Sequence, residues 1–534
     1  MTVPTLSRRR FNRLALSLAS GAALIGASGC TRKTSGAATG GRTLIYGQAM
    51  EPTGLNSAIT TAGPVTFVAS KLFDPLVDYS LTGELIPRLA TAWQAAPDGL
   101  SYRFTLRPDV RWHDGRPLSS ADFAYSMMEV WKRYHARSRA TFANVTAVET
   151  PDAQTAILKL SQPAPYLLKA LAVTEATVLP KHLYAGADVL ANPHNIAPVG
   201  SGPFRFGRWD RGDKIVLERN PDYWDKAAPQ IDAIVVRVLP DMNAAAIALE
   251  TGAIDLANNM PFSELGRLRT NSKLQVVQEA ASLSPLLIQA EFNLDKPPFD
   301  DVRVRRAIAH AIDRAFLAHN IVGDGQPADS PVPAELKDFH ADGLPAYPFD
   351  LDAATRLLDA AGLRPDAHGV RLRATLDYAA ASSYERIAAH IRSTLAQAGV
   401  QLEVRSEAQG EYIKRVYTRR DYDLCMTGSG AALDPAIGVQ RYYWSKNIHP
   451  GVAFSNGAHY RNPKVDQLLE QAQVELDPTR RRALYAEFQR IAMTDLPYIP
   501  LVFAPNVMVA NRRVQGLNGQ AGGVNTDFAG LSLA

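Results

Sequence analysis

Alternating and helical patterns of apolar residues divide the chain into short strands and amphipathic helices. In the first half, Tyr102, Phe104 and Leu106 alternate as one face of a strand between two Asp-Gly turn signals. Ser119, with Asp122 three residues later, starts a helix. The apolar positions of this helix are Phe123, Met127, Val130, Trp131 and Tyr134. Their helical spacing predicts a stripe that packs into a core.

The second half has the order strand, helix, strand. Residues 372–376 alternate as a strand, and Ser382 with Glu385 forms a capping box for the helix that follows. Gly399 ends this helix, and residues 400–404 alternate as the next strand. This order predicts a βαβ unit, and therefore an α/β region with parallel strands.

Three further elements are indicated by helix signals and apolar runs. Asp300 or Asp301 caps a helix, and Asp477 precedes a helix that has Pro478 at its first position. The apolar face of the first helix is predicted to contain Val304, Ile308, Ala311, Ile312 and Phe316. Residues 496–509 are apolar and rich in strand-forming types.

One stretch combines a buried strand with possible ligand chemistry. The strand is predicted over residues 422–426. Residues 427–432, which follow, have only small side chains or none. Asp434 and Pro435 turn the chain, and three aromatic residues follow at 442–444. Open α/β sheets bind ligands where strands end in such loops, so we predict a two-lobed protein that closes on a small ligand here.

The N-terminal residues predict export. Four arginines precede a short apolar run that ends at Cys30, and the run is too short to span a bilayer. Residues 7–14, S-R-R-R-F-N-R-L, resemble a twin-arginine signal, and Gly29-Cys30 resembles a lipoprotein processing site. We therefore predict a signal peptide over residues 1–29 and lipidation of Cys30, with a plain secretory signal as the alternative. Residues 30–41 are a flexible tether by composition.

The charge and the cysteines exclude several classes of protein. The chain has 57 basic and 53 acidic residues, and residues 1–29 carry four of the basic ones, so the remainder is close to neutral. Without a run of basic residues, the sequence indicates no positively charged surface that would bind nucleic acid. Apart from Cys30, the one other cysteine is Cys425, which we interpret as a small buried hydrophobe.

Searches for catalytic and metal-binding motifs give one weak candidate. Ser429 lies in T-G-S-G-A, which lacks the first glycine of the G-x-S-x-G motif. No H-E-x-x-H or phosphate-loop motif occurs, and the 11 histidines have no metal-ligand spacing. The sequence predicts no enzyme, no cofactor and no metal site.

Six segments resemble one family of binding proteins. They are G-E-L-I-P-R-L-A-T-A-W (83–93), D-G-L-S-Y-R-F-T-L-R (98–107), W-H-D-G-R-P-L-S-S-A-D-F (112–123), G-P-F-R-F (202–206), L-E-R-N-P-D-Y-W (217–224) and P-P-F-D-D-V-R-V-R-R-A-I (297–308). In type, order and spacing they resemble the family 5 extracellular solute-binding proteins of ABC importers, which bind peptides, nickel compounds or opines.

The resemblance implies an α/β, two-lobed periplasmic-binding-protein fold of type II, similar to cluster C, with an extra subdomain in the first lobe. It implies that three separate segments, 42–86, 199–286 and 497–534, build the first lobe. The extra subdomain would comprise residues 87–198, and the second lobe residues 287–496.

The resemblance also indicates where a ligand would bind, and where this chain departs from its relatives. Peptide-binding members carry an Asp shortly before the acidic-Pro pair, which holds the peptide's α-ammonium, commonly with a Trp before it. Here the Asp position is Ala431 or Ala432, so the anchor is missing unless Asp434 or Glu51 replaces it. The residues predicted to contact the ligand are Glu51, Gln289, Gly428, Ser429, Asp434, Tyr443 and Trp444.

Together these observations predict the substrate-binding component of an ABC importer. It would be a monomer, periplasmic and tethered to the membrane by a lipid, and it would deliver a di- or oligopeptide or peptide-like compound to an ABC permease and ATPase complex. The alternative ligands are an opine, a glycoconjugate or a metal chelate. A serine hydrolase that uses Ser429 is the remote alternative.

Overall fold

Two mixed β-sheets, each covered by helices, organise the chain. The computed structural model describes residues 42–172, 176–278, 285–380, 382–430, 432–519 and 522–534. The signal segment and Cys30 lie outside these residues. No helix within the described ranges is both long enough and apolar enough to cross a membrane.

The strands, in chain order, are β1 (Thr43–Gln48), β2 (Val77–Tyr79), β3 (Leu85–Pro87), β4 (Ala90–Ala95), β5 (Ser101–Leu106), β6 (Val145–Glu149), β7 (Thr155–Leu160), β8 (Phe204–Asp210), β9 (Lys214–Arg219), β10 (Ala233–Val238), β11 (Leu256–Asn258), β12 (Leu274–Gln278), β13 (Leu286–Phe292), β14 (Gln326–Pro327), β15 (Leu372–Ala379), β16 (Val400–Glu407), β17 (Leu424–Gly430), β18 (Tyr498–Ala504), β19 (Val507–Asn511), β20 (Val514–Gln515) and β21 (Ser532–Leu533).

The α-helices are α1 (Gly63–Leu72), α2 (Ser120–Tyr125), α3 (Lys132–Tyr134), α4 (Ser138–Thr141), α5 (Lys181–Tyr184), α6 (Met242–Thr251), α7 (Phe262–Thr270), α8 (Val302–His310), α9 (Arg314–Phe316), α10 (Leu351–Ala360), α11 (Ser382–Gln397), α12 (Gln409–Ile413), α13 (Pro435–Gly438), α14 (Gln440–Tyr443), α15 (Pro463–Val474) and α16 (Pro478–Asp495).

The first lobe is built on a seven-stranded sheet in the order β12-β19-β11-β1-β10-β9-β8. Its central strand, β1, pairs in parallel with β10 and β11. Strand β19, from the C-terminal end of the chain, enters this sheet between β11 and β12. The C-terminal segment therefore completes the first lobe.

The extra subdomain contains an antiparallel sheet in the order β4-β5-β7-β6. The capping box of Ser119 and Asp122 starts α2, as the sequence predicts. Phe104 and Trp131 both pack edge-on against Phe123, at ring-centroid distances of 5.9 Å. These rings belong to one apolar core that the subdomain shares with the first sheet.

The second lobe is built on a six-stranded sheet in the order β14-β18-β13-β17-β15-β16. β15, α11 and β16 form the predicted βαβ unit, with β15 parallel to both β16 and β17. Ile387, Ile391 and Leu395 of α11 are buried, as their spacing predicts. Gly399 ends α11 with a φ of +82°, a left-handed conformation that glycine adopts without strain.

The sequence predicts a loop over residues 427–432. This prediction is wrong for residues 427–430, because β17 continues to Gly430. The backbone of residues 427–430 pairs with Gln289 to Leu286 of β13. Strand pairing uses backbone groups, so small side chains did not prevent it. The four residues with small side chains or none, 427–430, are thus the end of a strand.

Phe316 is also placed differently from the prediction. It was expected on the core face with Val304 and Ile308, but it is 41% exposed and stacks on His390 with a centroid distance of 4.3 Å. Helix α8 ends at His310, and Asp313 caps a new helix. The break changes the register of the apolar face, so Phe316 points away from the core.

The return of the chain to the first lobe occurs later than the predicted boundary at residue 497. β18 pairs with β13 and belongs to the second sheet, whereas β19 belongs to the first. The crossing therefore lies between Ala504 and Val507. Pro505 and Asn506 lie at this crossing, but the strands on either side are both apolar and buried, so their patterns did not show that they belong to different sheets.

Candidate ligand site

The second sheet ends towards the first lobe at the start of β13 and at the ends of β17 and β18. Leu286 of β13 pairs with Gly430 on one side and Ala504 on the other. Only two residues separate Ala504 from β19 of the first sheet, which limits the distance between these strand ends to about 11 Å. We call Leu286, Ala504 and residues 428–430 the cleft edge of the second sheet. Ligands of open α/β folds bind at such carboxyl ends.

Three predicted site residues lie at or just behind the cleft edge. Ser429 and Gly428 lie on β17, and Gln289 lies further along β13, opposite Thr427. Ser429 and Gln289 are 7% and 1% exposed. The Gln289 Nε2 atom has no hydrogen-bond partner among the described residues. The structure thus brings Gly428 and Ser429 to the edge and places Gln289 deeper in the lobe.

Asp434 is buried, and its carboxylate is paired inside the protein. Both terminal nitrogens of Arg481, on α16, donate to it at 2.7 Å. The backbone N–H of Ala436 also donates to it at 3.0 Å, which caps α13. Because its charge is balanced and both side chains are buried, we expect Asp434 to hold this segment in place. Its predicted contact with a ligand stays a prediction.

Tyr443 and Trp444 lie in the aromatic core of the second lobe rather than on the cleft edge. The Tyr443 ring is 2% exposed. It packs edge-on against the rings of Tyr460, Phe488 and Tyr498 at 5.1–6.3 Å. Trp444 is half-buried, and its Nε1 atom donates to Glu470 at 2.9 Å. These contacts explain both residues by packing, and their predicted ligand contacts stay predictions.

Glu51 follows the carboxyl end of β1 in the first lobe. Its Oε1 atom accepts hydrogen bonds from Trp209 Nε1 at 2.9 Å and from the Gly212 N–H at 3.0 Å. Among the described residues, none donates a hydrogen bond to the Oε2 atom, and none forms an ion pair with Glu51. Glu51 is half-buried. It is therefore a fixed carboxylate with one oxygen still able to accept.

Other carboxylates of the second lobe are paired with arginines. Asp377 is held by Arg405 at 2.7 Å, and Arg415 donates to Glu407 at 2.7 Å. Together with Asp434, these are three acids of the second lobe whose charges are each paired with an arginine.

A different buried acid lies behind the cleft edge. Glu291 of β13 is fully buried, and it accepts a hydrogen bond from the Tyr422 hydroxyl at 3.0 Å. Burial raises the pKa of Glu291 to about 8, although Tyr422 and Arg420 oppose the shift. A Cβ added at Gly457 would collide with its Oε1 atom, so the acid is tightly enclosed. Glu291 belongs to the lobe's interior.

The subdomain and the second lobe touch near Asp434. Lys169 Nζ donates to the Leu433 carbonyl at 3.0 Å and lies 5.2 Å from the centre of the Phe339 ring. Gln473 donates to the Tyr166 hydroxyl at 3.3 Å. These contacts join the subdomain to the second lobe.

The position of Ser429 differs from that of a hydrolase nucleophile. Ser429 pairs with Leu287 inside a strand, whereas the nucleophile of a G-x-S-x-G hydrolase lies on a sharp turn between strand and helix. Among the described residues, no group of three or more His, Cys, Asp or Glu side chains could hold a metal ion. A surface groove of about 740 Å³ between α15 and α16 contains none of the predicted site residues.

Sequence reasoning missed two residues at this site. Tyr384, in the first turn of α11, places its hydroxyl 2.7 Å from where a Cβ of Gly428 would be. Arg481 neutralises Asp434, but in the sequence it is the middle one of three adjacent arginines. Helical spacing could have placed Arg481 on the buried face of α16. No local signal links Tyr384 to residue 428.

Two lobes, each built on a mixed β-sheet and joined by crossings of the chain, form the fold of two-lobed periplasmic binding proteins. Residues 84–451 match the model of the bacterial extracellular solute-binding proteins, family 5 Middle. The chain therefore belongs to this family, whose members are periplasmic or extracellular.

Relatives agree with this assignment, and solved structures share the fold. A putative ABC transporter peptide-binding protein of Brucella ovis is 29% identical over 83% of this chain and 84% of its own length. Di/tripeptide-binding protein 2 of Pseudomonas aeruginosa is 28% identical over 86% and 89%, respectively. NikZ of Campylobacter jejuni, solved in complex with Ni(L-His), has a TM-score of 0.81 and 24% identity, and covers 92% of this chain and 99% of its own. The oligopeptide-binding protein AppA of Bacillus subtilis, solved with a nonapeptide, has a TM-score of 0.80 with the same identity and coverage.

Proposed function

We propose that this chain is the substrate-binding component of an ABC importer. It captures a di- or oligopeptide, or a peptide-like compound, between its lobes and delivers it to a permease and ATPase complex. The observation that carries the proposal is family membership together with similarity to peptide-binding relatives over more than four-fifths of the chain. The protein acts as a monomer and performs no chemistry on its ligand.

Glu51 is the residue that we assign to the cationic end of the ligand. The position that anchors an ammonium in peptide-binding members is Ala431 or Ala432 here, and Asp434 is neutralised by Arg481. Glu51 keeps one carboxylate oxygen without a described partner, while Trp209 and Gly212 fix the other. A buried ammonium without a counter-charge would cost several kcal/mol, so a carboxylate is required for a peptide's amino end.

Thermal unfolding of the purified protein with defined ligands tests the proposal. Trialanine should raise the unfolding temperature, since a ligand that binds only the folded state stabilises it. N-acetyl-trialanine, which lacks the ammonium, should raise it less. If no peptide of two to nine residues shifts the unfolding temperature, and none copurifies by native mass spectrometry, the peptide class is wrong.

An opine, a glycoconjugate or a metal chelate is the second candidate class. The absence of an acid at 431 and 432 favours it, because the anchor of peptide-binding members is missing. One solved structure with a TM-score of 0.77 and 24% identity, the binding protein AgaA, is in complex with agropinic acid. Mass spectrometry of a ligand carried through gentle purification distinguishes these classes by exact mass.

Export and lipid anchoring belong to the same proposal. The N-terminal arginines, the short apolar run and Cys30 support a signal that ends in a lipid-modified cysteine. Replacement of Cys30 by Ser should move the protein from the membrane fraction to the soluble fraction. If the wild-type protein and the Cys30→Ser variant are both found in the soluble fraction, a plain secretory signal is the explanation.

A further inference from the structure

The side chain of Tyr384 fills the space beside Gly428 at the cleft edge. Its hydroxyl lies 2.7 Å from where a Cβ of Gly428 would be, and Leu286 Cδ1 lies 3.0 Å from the same point. The first contact is shorter than Cβ atoms tolerate and the second is tight, so a side chain at 428 would displace the Tyr384 hydroxyl. A ligand at this edge would meet Tyr384 and Leu286 instead of a side chain from β17.

The surface formed by these residues is accessible and mainly apolar. Leu286 is 36% exposed although it is a leucine at the start of a central strand. Tyr384 and Gly428 are half-buried. The Tyr384 ring is held from behind by an edge-on contact with Tyr378, at a centroid distance of 6.5 Å. Ligand pockets typically combine apolar walls of this kind with a few fixed polar groups.

The polar group here is the Tyr384 hydroxyl. Among the described residues it has no hydrogen-bond partner. Burial raises the pKa of Tyr384, so the hydroxyl stays protonated and can donate.

Three carboxylates of the second lobe are neutralised by arginines. Asp377 of β15, Glu407 of β16 and Asp434, which caps α13, are paired with Arg405, Arg415 and Arg481, respectively. These three acids therefore offer no free counter-charge to a charged ligand group. An uncharged group with a hydrogen-bond acceptor fits this environment.

We propose that Tyr384, Leu286 and the exposed backbone of Gly428 form a neutral subsite for an uncharged amide segment of the ligand. The Tyr384 hydroxyl donates to a carbonyl oxygen of that segment, and Leu286 supplies the apolar wall. This inference rests on the proposed function and specifies which portion of a peptide-like ligand the second lobe binds.

Calorimetric titration of Tyr384→Phe with trialanine tests the hydrogen bond. Loss of one hydrogen bond to the ligand should weaken binding by about threefold to tenfold. The unfolding temperature of the ligand-free protein should not change, because the hydroxyl has no described partner within the protein. Tyr378→Phe is the matched control, since its ring belongs to the same aromatic pair but is 4% exposed; its affinity should equal that of the wild type.

Gly428→Ala tests the geometry. The new methyl group should displace the Tyr384 hydroxyl, so this variant should lose about as much affinity as Tyr384→Phe. The double variant should lose little more than either single one, because both remove the same contact. If the wild type binds trialanine and both variants bind it equally well, the subsite is wrong while the proposed function stands. If the wild type binds no peptide, both fail.

Discussion

At the scale of single residues, two acids of the same chemistry have opposite roles because of their surroundings. Asp434 is enclosed and paired with Arg481, whereas Glu51 is half-buried and retains an oxygen without a described partner. A third acid, Glu291, is buried. It accepts a hydrogen bond from Tyr422, and this bond and the charge of Arg420 oppose the rise of its pKa that burial causes. Burial and partners therefore decide what each carboxylate can do.

Glu51→Gln should weaken the binding of trialanine by roughly tenfold to a hundredfold, because a charge-assisted hydrogen bond is lost. The same substitution should hardly change the binding of N-acetyl-trialanine, which has no ammonium to hold. Calorimetric titration of both proteins with both ligands measures the coupling.

Asp213→Asn is the control for this experiment, since it removes an exposed acid next to Gly212 in the same turn. Its affinity for trialanine should stay close to the wild-type value. Equal losses for both ligands with Glu51→Gln would mean that Glu51 does not contact the ammonium.

Glu291 should make stability depend on pH. Its pKa is raised from 4.5 to about 8 by burial, so the folded protein keeps a proton that the unfolded chain has lost. The contribution is fully present below about pH 4.5 and is lost progressively as the pH rises to about 8. In Glu291→Gln the free energy of unfolding should lose this downward slope.

Urea denaturation at several pH values between about 5 and 8.5 measures this effect. Glu403→Gln, an exposed acid on β16, is the control and should keep the wild-type profile. Parallel profiles for Glu291→Gln and the wild type would show that Glu291 is ionised in the folded protein.

At the scale of elements, β17 and the short helix α13 show how one segment combines two tasks. The end of β17 forms the cleft edge through backbone pairing with β13. A few residues later, Asp434 fastens α13 to α16 by its ion pair with Arg481. The ion pair therefore ties the segment that follows β17 to α16.

Arg481→Met should lower the free energy of unfolding by about 3–5 kcal/mol, because it leaves a buried carboxylate without its partner. Asp434→Asn should cost a similar amount. The double variant should cost clearly less than the sum, since no unpaired charge remains. Chemical denaturation measures all three.

Arg482→Met is the control for the ion pair. Arg482 is adjacent but exposed, and its partner Asp338 is 77% exposed at the side chain, so a change below about 1 kcal/mol is expected. Additive losses in the Asp434 and Arg481 variants would contradict the structural role of this pair.

At the scale of the whole molecule, the lobes are joined by the chain crossings and by contacts between the subdomain and the second lobe. Lys169 and Tyr166 of the subdomain contact Leu433 and Gln473. On the hinge side, Arg269 of α7 is paired with Asp324 of the second lobe. The first lobe with its subdomain therefore contacts the second lobe at two separate places.

Lys169→Met should reduce the closed population, since it removes the hydrogen bond to the Leu433 carbonyl. The radius of gyration of the ligand-free protein in X-ray scattering should increase, and the affinity for trialanine should fall by about twofold to tenfold. Lys159→Met, on the exposed side of β7, is the control and should change neither quantity. An unchanged radius of gyration in Lys169→Met would show that this contact does not hold the lobes together.

The sequence by itself determined the elements whose signals are local. The capping box of Ser119 and Asp122, the N-cap Asp301 and the βαβ unit of β15, α11 and β16 follow from local spacing, because helices and strands are specified by neighbours along the chain. The family followed from the resemblance of six segments. The predicted capping box of Ser382 and Glu385 lies outside the described side chains. It also determined that residue 428 has no side chain.

The tertiary structure alone decided the roles of the site residues. Asp434 became the partner of Arg481, Tyr443 joined an aromatic core, and Tyr384 came to occupy the space beside Gly428. The contacts of Asp434 with Arg481, of Tyr443 with Phe488 and of Tyr384 with residue 428 each join residues that are more than forty positions apart, whereas the shift of Phe316 followed from a helix break. The free energy of such contacts depends on which distant residues are brought together, and no local pattern records that choice.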